Sequence, residues 1–213
     1  MAEKATLHFD GKDFDFPVLT GSESEKAFDI SELRKKTGLV TLDYGYLNTG
    51  STKSNITFVD GEQGILRYRG YAIEDLAEKA TFPETAWLLI YGELPTEEQL
   101  THFRKMLTEN ALIHENLLHF FREMPPSAHP MGILSSIVNA VGLFTPRFYD
   151  DEDKEDVFNL TTAGLISKIR TIAAFTYKAS IGEPFVYPEA ERSYCSNFLN
   201  MMFSSKTKPY NPD

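Results

Sequence analysis

The chain opens on an alternating pattern. Leu7 and Phe9, then Phe14, Phe16 and Val18, are separated by polar residues on either side of Asp10-Gly11. A period of two puts those side chains on one face of a strand, and glycine takes the positive φ of a tight turn, so the pattern predicts a β-hairpin. Asp29 to Leu33 predicts a short helix stopped at Gly38. Two further short strands are expected at 55–59 and 64–68, around the glycine turn of "DGEQG".

After Gly70 the period lengthens. Ile73, Leu76, Ala77 and Ala80 share one helical face. Pro83 suits the first turn of the next helix, which carries Trp87, Leu88, Ile90 and Tyr91 and ends at Gly92. Thr96 with Gln99 forms a capping box ahead of Leu100, Phe103 and Leu107. Ile113 to Met124 reads as another short helix. His129-Pro130 opens a long apolar one with Ile133, Leu134, Ile137, Val138, Val141 and Phe144, stopped by Pro146. The longest runs from Val157 to Ser180, with Leu165, Ile166, Ile169, Ile172, Ala173 and Phe175, and stops at Gly182; Tyr194 to Phe203 is the last. The fold class is therefore mainly α: a small β-rich region over 1–68, then about seven helices over 69–213. No βαβ alternation occurs, which excludes a Rossmann-type parallel sheet. The apolar residues of the two long helices cover more than one stripe each, so both are expected to need partners on two sides and to drive self-association. Ser204 to Asp213 is polar, and Pro209 and Pro212 forbid helix there; it reads as a connection between elements.

Composition narrows the function classes. A net charge of -10 argues against a nucleic-acid backbone or an anionic membrane as partner. The apolar stretches are too short to span a membrane, and Met1 to Asp10 has no signal-peptide core. One cysteine, Cys195, allows no internal disulfide and no cysteine-rich zinc site, and points to a reducing, cytoplasmic setting. The acidic run at 150–156 reads as a solvated loop before a helix.

The catalytic inventory is thin. The histidines are His8, His102, His114, His119 and His129. His114-Glu115 begins like HExxH, but the fourth residue after His114 is Leu118, and His119 comes one place late, on another face of the helix. His119 is expected on the helix surface, and His129 as a helix-opening residue making a local hydrogen bond. "DGEQG" lacks GxGxxG spacing and leads into a strand, and no GxSxG elbow occurs. Cys195 is expected as a buried, inert thiol and Met201-Met202 as core. Arg67 and Arg69 are expected in intramolecular ion pairs. No metal site is visible.

Four stretches in register change the picture. "DGEQGILRYRGYAIEDLA" at 60–77, "LLIYGELPT" at 88–96, "HPMGIL" at 129–134 and "IGEPFVYPEAERSYCSNFLNMMF" at 181–203 together resemble citrate synthase, most closely the bacterial hexameric type. The resemblance covers essentially the whole chain. It implies a citrate-synthase large-domain portion, incomplete and without the small closing domain. It implies transfer of the acetyl group of acetyl-CoA to oxaloacetate, giving citrate and CoA in the tricarboxylic acid cycle. No covalently bound cofactor is implied; acetyl-CoA is a co-substrate. A homo-oligomer is implied, a dimer or, in the full-length form, a hexamer. The family's acid–base and dicarboxylate-binding residues come from its second half, so none is expected here and all are expected beyond Asp213. On this reading the chain is the N-terminal portion of a larger enzyme and is inactive alone. The alternatives are a 2-methylcitrate synthase, or a non-catalytic helical module that binds partners.

Some bacterial members are inhibited by NADH at a site in this region, and the pattern can be compared residue by residue. Its Arg-His-Thr-Met run falls on Glu109, Asn110, Ala111 and Leu112. Its arginine ahead of a Ser-Lys pair falls on Gly164, its tyrosine on Thr145 and its reactive cysteine on Thr207. Lys168 alone matches, which makes it the one allosteric candidate; its plainer reading is a surface lysine. Glu109 would repel a pyrophosphate, so the resemblance implies that NADH control is lost.

Overall fold

A computed structural model describes residues 3–125, 127–145 and 154–212, the last stretch with side chains from Val157 onward. Pro146 and the acidic residues 150–153 lie outside the described residues. The chain divides into two compact units, Met1–Asn55 and Ile56–Asp213.

In the first unit β1 (Lys4–Phe9) and β2 (Lys12–Thr20) form the expected hairpin, with Leu7 opposite Phe14. Asp10 (φ 50°) and Gly11 (φ 68°) are both left-handed, the conformation a two-residue turn between twisted strands requires. A third strand, β3 (Lys26–Phe28), pairs with the end of β2 and was not legible in the sequence, because its three residues are all exposed. Phe16 is buried, with the Lys36 ammonium 5.3 Å from its ring centre. Helix α1 (Leu33–Thr37) ends at Gly38, whose φ of 76° lets its N–H turn back to the Arg34 carbonyl.

The second unit begins with an antiparallel sheet of β4 (Thr57–Asp60), β5 (Ile65–Tyr68) and β6 (Tyr71–Ala72). Seven α-helices follow: α2 (Ile73–Lys79), α3 (Phe82–Tyr91), α4 (Glu97–Glu109), α5 (Leu118–Glu123), α6 (Pro130–Leu143), α7 (Lys154–Ser180) and α8 (Tyr194–Phe203). The capping box at α4 forms as expected: Thr96 Oγ1 accepts from Gln99 N–H, and Gln99 Oε1 accepts from Thr96 N–H. The single helix expected over 113–124 is instead a 3-10 turn, Glu115–Leu117, running into the shorter α5. His114 causes the offset, since its Nδ1 accepts from Asn116 N–H and caps the turn at that point.

Helix α7 is the axis of this unit and touches α4, α5, α6 and α8. One core lies where α5, α6 and the later turns of α7 meet, around Leu117, Phe121, Ile137, Ile172 and Phe175. A second joins α3 and α4 to its earlier turns, around Trp87, Phe103, Leu107 and Ala163. The two long helices find partners on more than one side within the chain. Ile172 is fully buried, Ile166 packs on the second core, and Leu134 and Val138 pack on the first. Leu165 and Phe158 remain 40% and 54% exposed on α7. On α6 Met131 and Leu143 remain 62% and 82% exposed, so part of the apolar width of both helices stays uncovered within the chain. Among the described residues no helix is long and apolar enough to cross a membrane.

Candidate functional site

The most developed polar constellation lies where α4 ends against α7. The last carbonyls of a helix have no partner inside it. Here α7 supplies them: Ser167 Oγ donates to Leu107 O (2.5 Å), Lys168 Nζ to Asn110 O (2.8 Å) and Thr171 Oγ1 to Ala111 O (2.7 Å). Positions 167, 168 and 171 share one side of α7 by helical spacing, so three successive donors meet one chain end. The lysine also places a cation at the negative end of the α4 dipole.

Beside this contact is a cavity of 280 Å³. It is lined by Leu112, Ile113, His114 and Leu117, by Val141, Phe144 and Thr145, and by Lys168 from α7. The His114 ring lies 4.8 Å from that of Phe144, centre to centre. Lys168 is only 8% exposed, which corrects its reading as a surface lysine. Burial pushes its ammonium pKa below the ordinary value, and no other influence offsets it.

Of the positions compared with the NADH-binding pattern, the fold brings Leu112, Thr145 and Lys168 into this one cavity. Glu109, Gly164 and Thr207 are not in its wall. Glu109 is exposed and pairs with Lys105 at 3.8 Å, and Thr207 is an exposed residue near Ser205.

The remaining candidates resolve into local roles. His8 pairs with Asp13 at 2.6 Å on the exposed hairpin, His102 and His119 are exposed, and His129 Nδ1 accepts from Met131 N–H as the cap of α6. Among the described residues Arg69 makes no ion pair with a carboxylate as expected of it; its guanidinium donates to Leu89 O from Nη2 (2.8 Å) and Nε (3.3 Å). Cys195 is exposed, not buried. The buried side of α8 is instead Asn197, Asn200 and Met201, the asparagines being occupied by Glu189. Among the described residues no group of histidine, cysteine, aspartate and glutamate side chains could hold a metal ion.

Two buried cations were missed entirely. Arg170 lies over the Tyr194 ring at 4.3 Å and donates to its carbonyl at 3.1 Å, while Phe82 stacks on that ring at 4.5 Å. Burial pushes the Tyr194 phenol up to about 12, with its hydroxyl donating to Ile166 O. Lys178, 1% exposed, donates to Ser204 O and to the Glu183 carboxylate. Lysine and arginine are exposed by default, and nothing local marks these as exceptions.

Known proteins agree with this architecture. The family model for the citrate synthase C-terminal domain matches residues 45–213. Citrate synthase 1 of Mycobacterium tuberculosis is 43% identical over 211 residues, which is 99% of this chain and 49% of that protein. The chain thus spans about half the length of the curated relatives it matches. The crystal structure of citrate synthase from Pyrobaculum aerophilum superposes on 93% of this chain and 46% of its own, with a TM-score of 0.68 and 26% identity. That from Thermotoga maritima gives 0.64 at 29% identity, over 76% of this chain and 42% of its own. A ternary complex of carboxymethyl coenzyme A and oxaloacetate with citrate synthase of Thermoplasma acidophilum gives 0.68 at 26% identity, over 76% and 42%. A family match over most of the chain and 43% identity along nearly all of it have one meaning: the chain belongs to the citrate synthase family.

Proposed function

We propose that this chain is the N-terminal part of a citrate synthase that condenses acetyl-CoA with oxaloacetate to citrate and CoA. The observation that carries the reading is the 43% identity to the Mycobacterium tuberculosis enzyme, held over 99% of this chain. The solved relative that binds carboxymethyl coenzyme A and oxaloacetate supports the substrate pair. The second unit then forms part of the large domain, and the acid–base and dicarboxylate-binding residues lie in the other half of the relatives' length. The described histidines fit this, since each is exposed or held in a local contact. The working enzyme is a cytoplasmic homo-oligomer, a dimer or hexamer, with acetyl-CoA as co-substrate and no covalent cofactor.

A thiol-release assay with acetyl-CoA and oxaloacetate tests this. The 213-residue chain alone is expected to release no CoA, and the full-length parent to release it faster from acetyl-CoA than from propionyl-CoA. Turnover by the chain alone would contradict the placement of the catalytic groups. A preference for propionyl-CoA would favour the 2-methylcitrate reaction.

The parent is also expected to be insensitive to micromolar NADH. The supporting features are Glu109, Gly164, Thr145 and Thr207 in place of the pattern's two arginines, its tyrosine and its cysteine. Strong inhibition that is relieved by Lys168→Ala would overturn this expectation.

A further inference from the structure

The cavity at Lys168 has an electrostatic imbalance. A lysine ammonium has three donors, and the Asn110 carbonyl accepts from one of them at 2.8 Å. Among the described residues no carboxylate pairs with it, although it is 8% exposed. A buried charge is ordinarily paired, because desolvation is costly without a counter-ion. The complementary group is an anion, and Lys168 lines the cavity.

The walls specify the rest of the ligand. Leu112, Ile113, Leu117, Val141 and Phe144 are apolar, with Thr145 and His114 as the other polar side chains, so an apolar extension from the anion matches most of the lining. The volume of 280 Å³ lies just below the range of roughly 300–1,000 Å³ for drug-sized sites. At about 30 Å³ per water-sized unit, it holds on the order of nine non-hydrogen atoms.

We propose that this cavity binds a short aliphatic monocarboxylate of roughly six carbons, its carboxylate on Lys168 Nζ and its chain against Leu117, Val141 and Phe144. The carboxylate supplies the charge-assisted hydrogen bonds that the ammonium lacks. The chain displaces water from apolar walls.

Hexanoate is the probe, titrated calorimetrically into the 213-residue chain. Saturable binding at one site per chain is expected. Acetate, which lacks the tail, and hexan-1-ol, which lacks the charge, are each expected to bind at least about tenfold more weakly. Lys168→Met is expected to weaken hexanoate by a similar factor. Leu112→Glu, which puts a carboxylate at the mouth, should do the same. Leu112 is 57% exposed, so that change leaves the core intact and decides the matter if Lys168→Met fails to show a cooperative thermal transition. No saturable binding would overturn the proposal. Equal affinity for hexan-1-ol would also overturn it, as would hexanoate affinity unchanged in Leu112→Glu.

Discussion

Replacing Phe175 by alanine is expected to destabilise the second unit by about 4 kcal/mol, the middle of the range for a buried aromatic truncation. Phe175 is fully buried in the core shared by α5, α6 and α7. Its ring stacks on Phe185 at 4.6 Å with 14° between planes, and meets Phe121 at 5.9 Å and Tyr187 at 5.5 Å edge-on. Phe185 and Tyr187 belong to the segment that follows α7, so one side chain supports both the helix packing and the return of the chain. Removing it leaves a cavity that rigid neighbours fill only in part, and each lost aromatic pair adds about 0.5–1.5 kcal/mol. A domain has only about 5–15 kcal/mol in total, so the variant should unfold at markedly lower urea. Trp87 is the chain's single tryptophan and sits in the neighbouring core, so its fluorescence reports on this unit. Phe158→Ala on the same helix is the control: Phe158 is 54% exposed, and the change should cost no more than about 0.5 kcal/mol. Similar costs for the two substitutions would mean that the Phe175 cluster is not the core it is taken to be.

Local rules were enough for most of the fold. The hairpin at Asp10-Gly11, the caps at Thr96 and His129 and the stops at Gly38, Gly92 and Gly182 are each set by a few neighbouring residues, and each stands where the pattern put it. What the pattern could not show depends on distant partners. Strands β3 and β6 are two or three residues long, too short to carry a period. Helix α8 reads as apolar with a buried thiol, yet it buries Asn197 and Asn200 because Glu189 supplies their hydrogen bonds, and this turns Cys195 outward. Nothing in the sequence shows that Leu112, Thr145 and the one allosteric candidate, Lys168, share a wall. That they do follows from the docking of α7 donors on the end of α4, a contact between residues about sixty positions apart.

The other large effect concerns the second buried lysine, and its direction is not what exposure alone suggests. Lys178 is 1% exposed and Glu183 is 44% exposed, so burial would make the lysine the costlier residue to lose. The ionic argument reverses the order. In Lys178→Met the charge disappears from the interior, and an unbranched apolar chain of similar length takes its place. The Glu183 carboxylate left behind rehydrates. The loss is the hydrogen bond to Ser204 O, the carbonyl of the residue that caps the end of α8, and the cost should be about 2 kcal/mol. In Glu183→Ala the cation stays buried with only that neutral carbonyl for company. Breaking a buried pair so as to strand a charge costs about 3–5 kcal/mol, and the full burial of the ammonium puts this case inside that range. The more exposed partner is therefore the more damaging one to remove. The double variant Lys178→Met with Glu183→Ala should recover most of the excess, falling close to Lys178→Met alone, because no stranded charge remains. Urea titrations followed by Trp87 fluorescence give all three values on one scale. If Glu183→Ala proves milder than Lys178→Met, the ammonium has another route to solvent or charge, and its burial does not depend on Glu183.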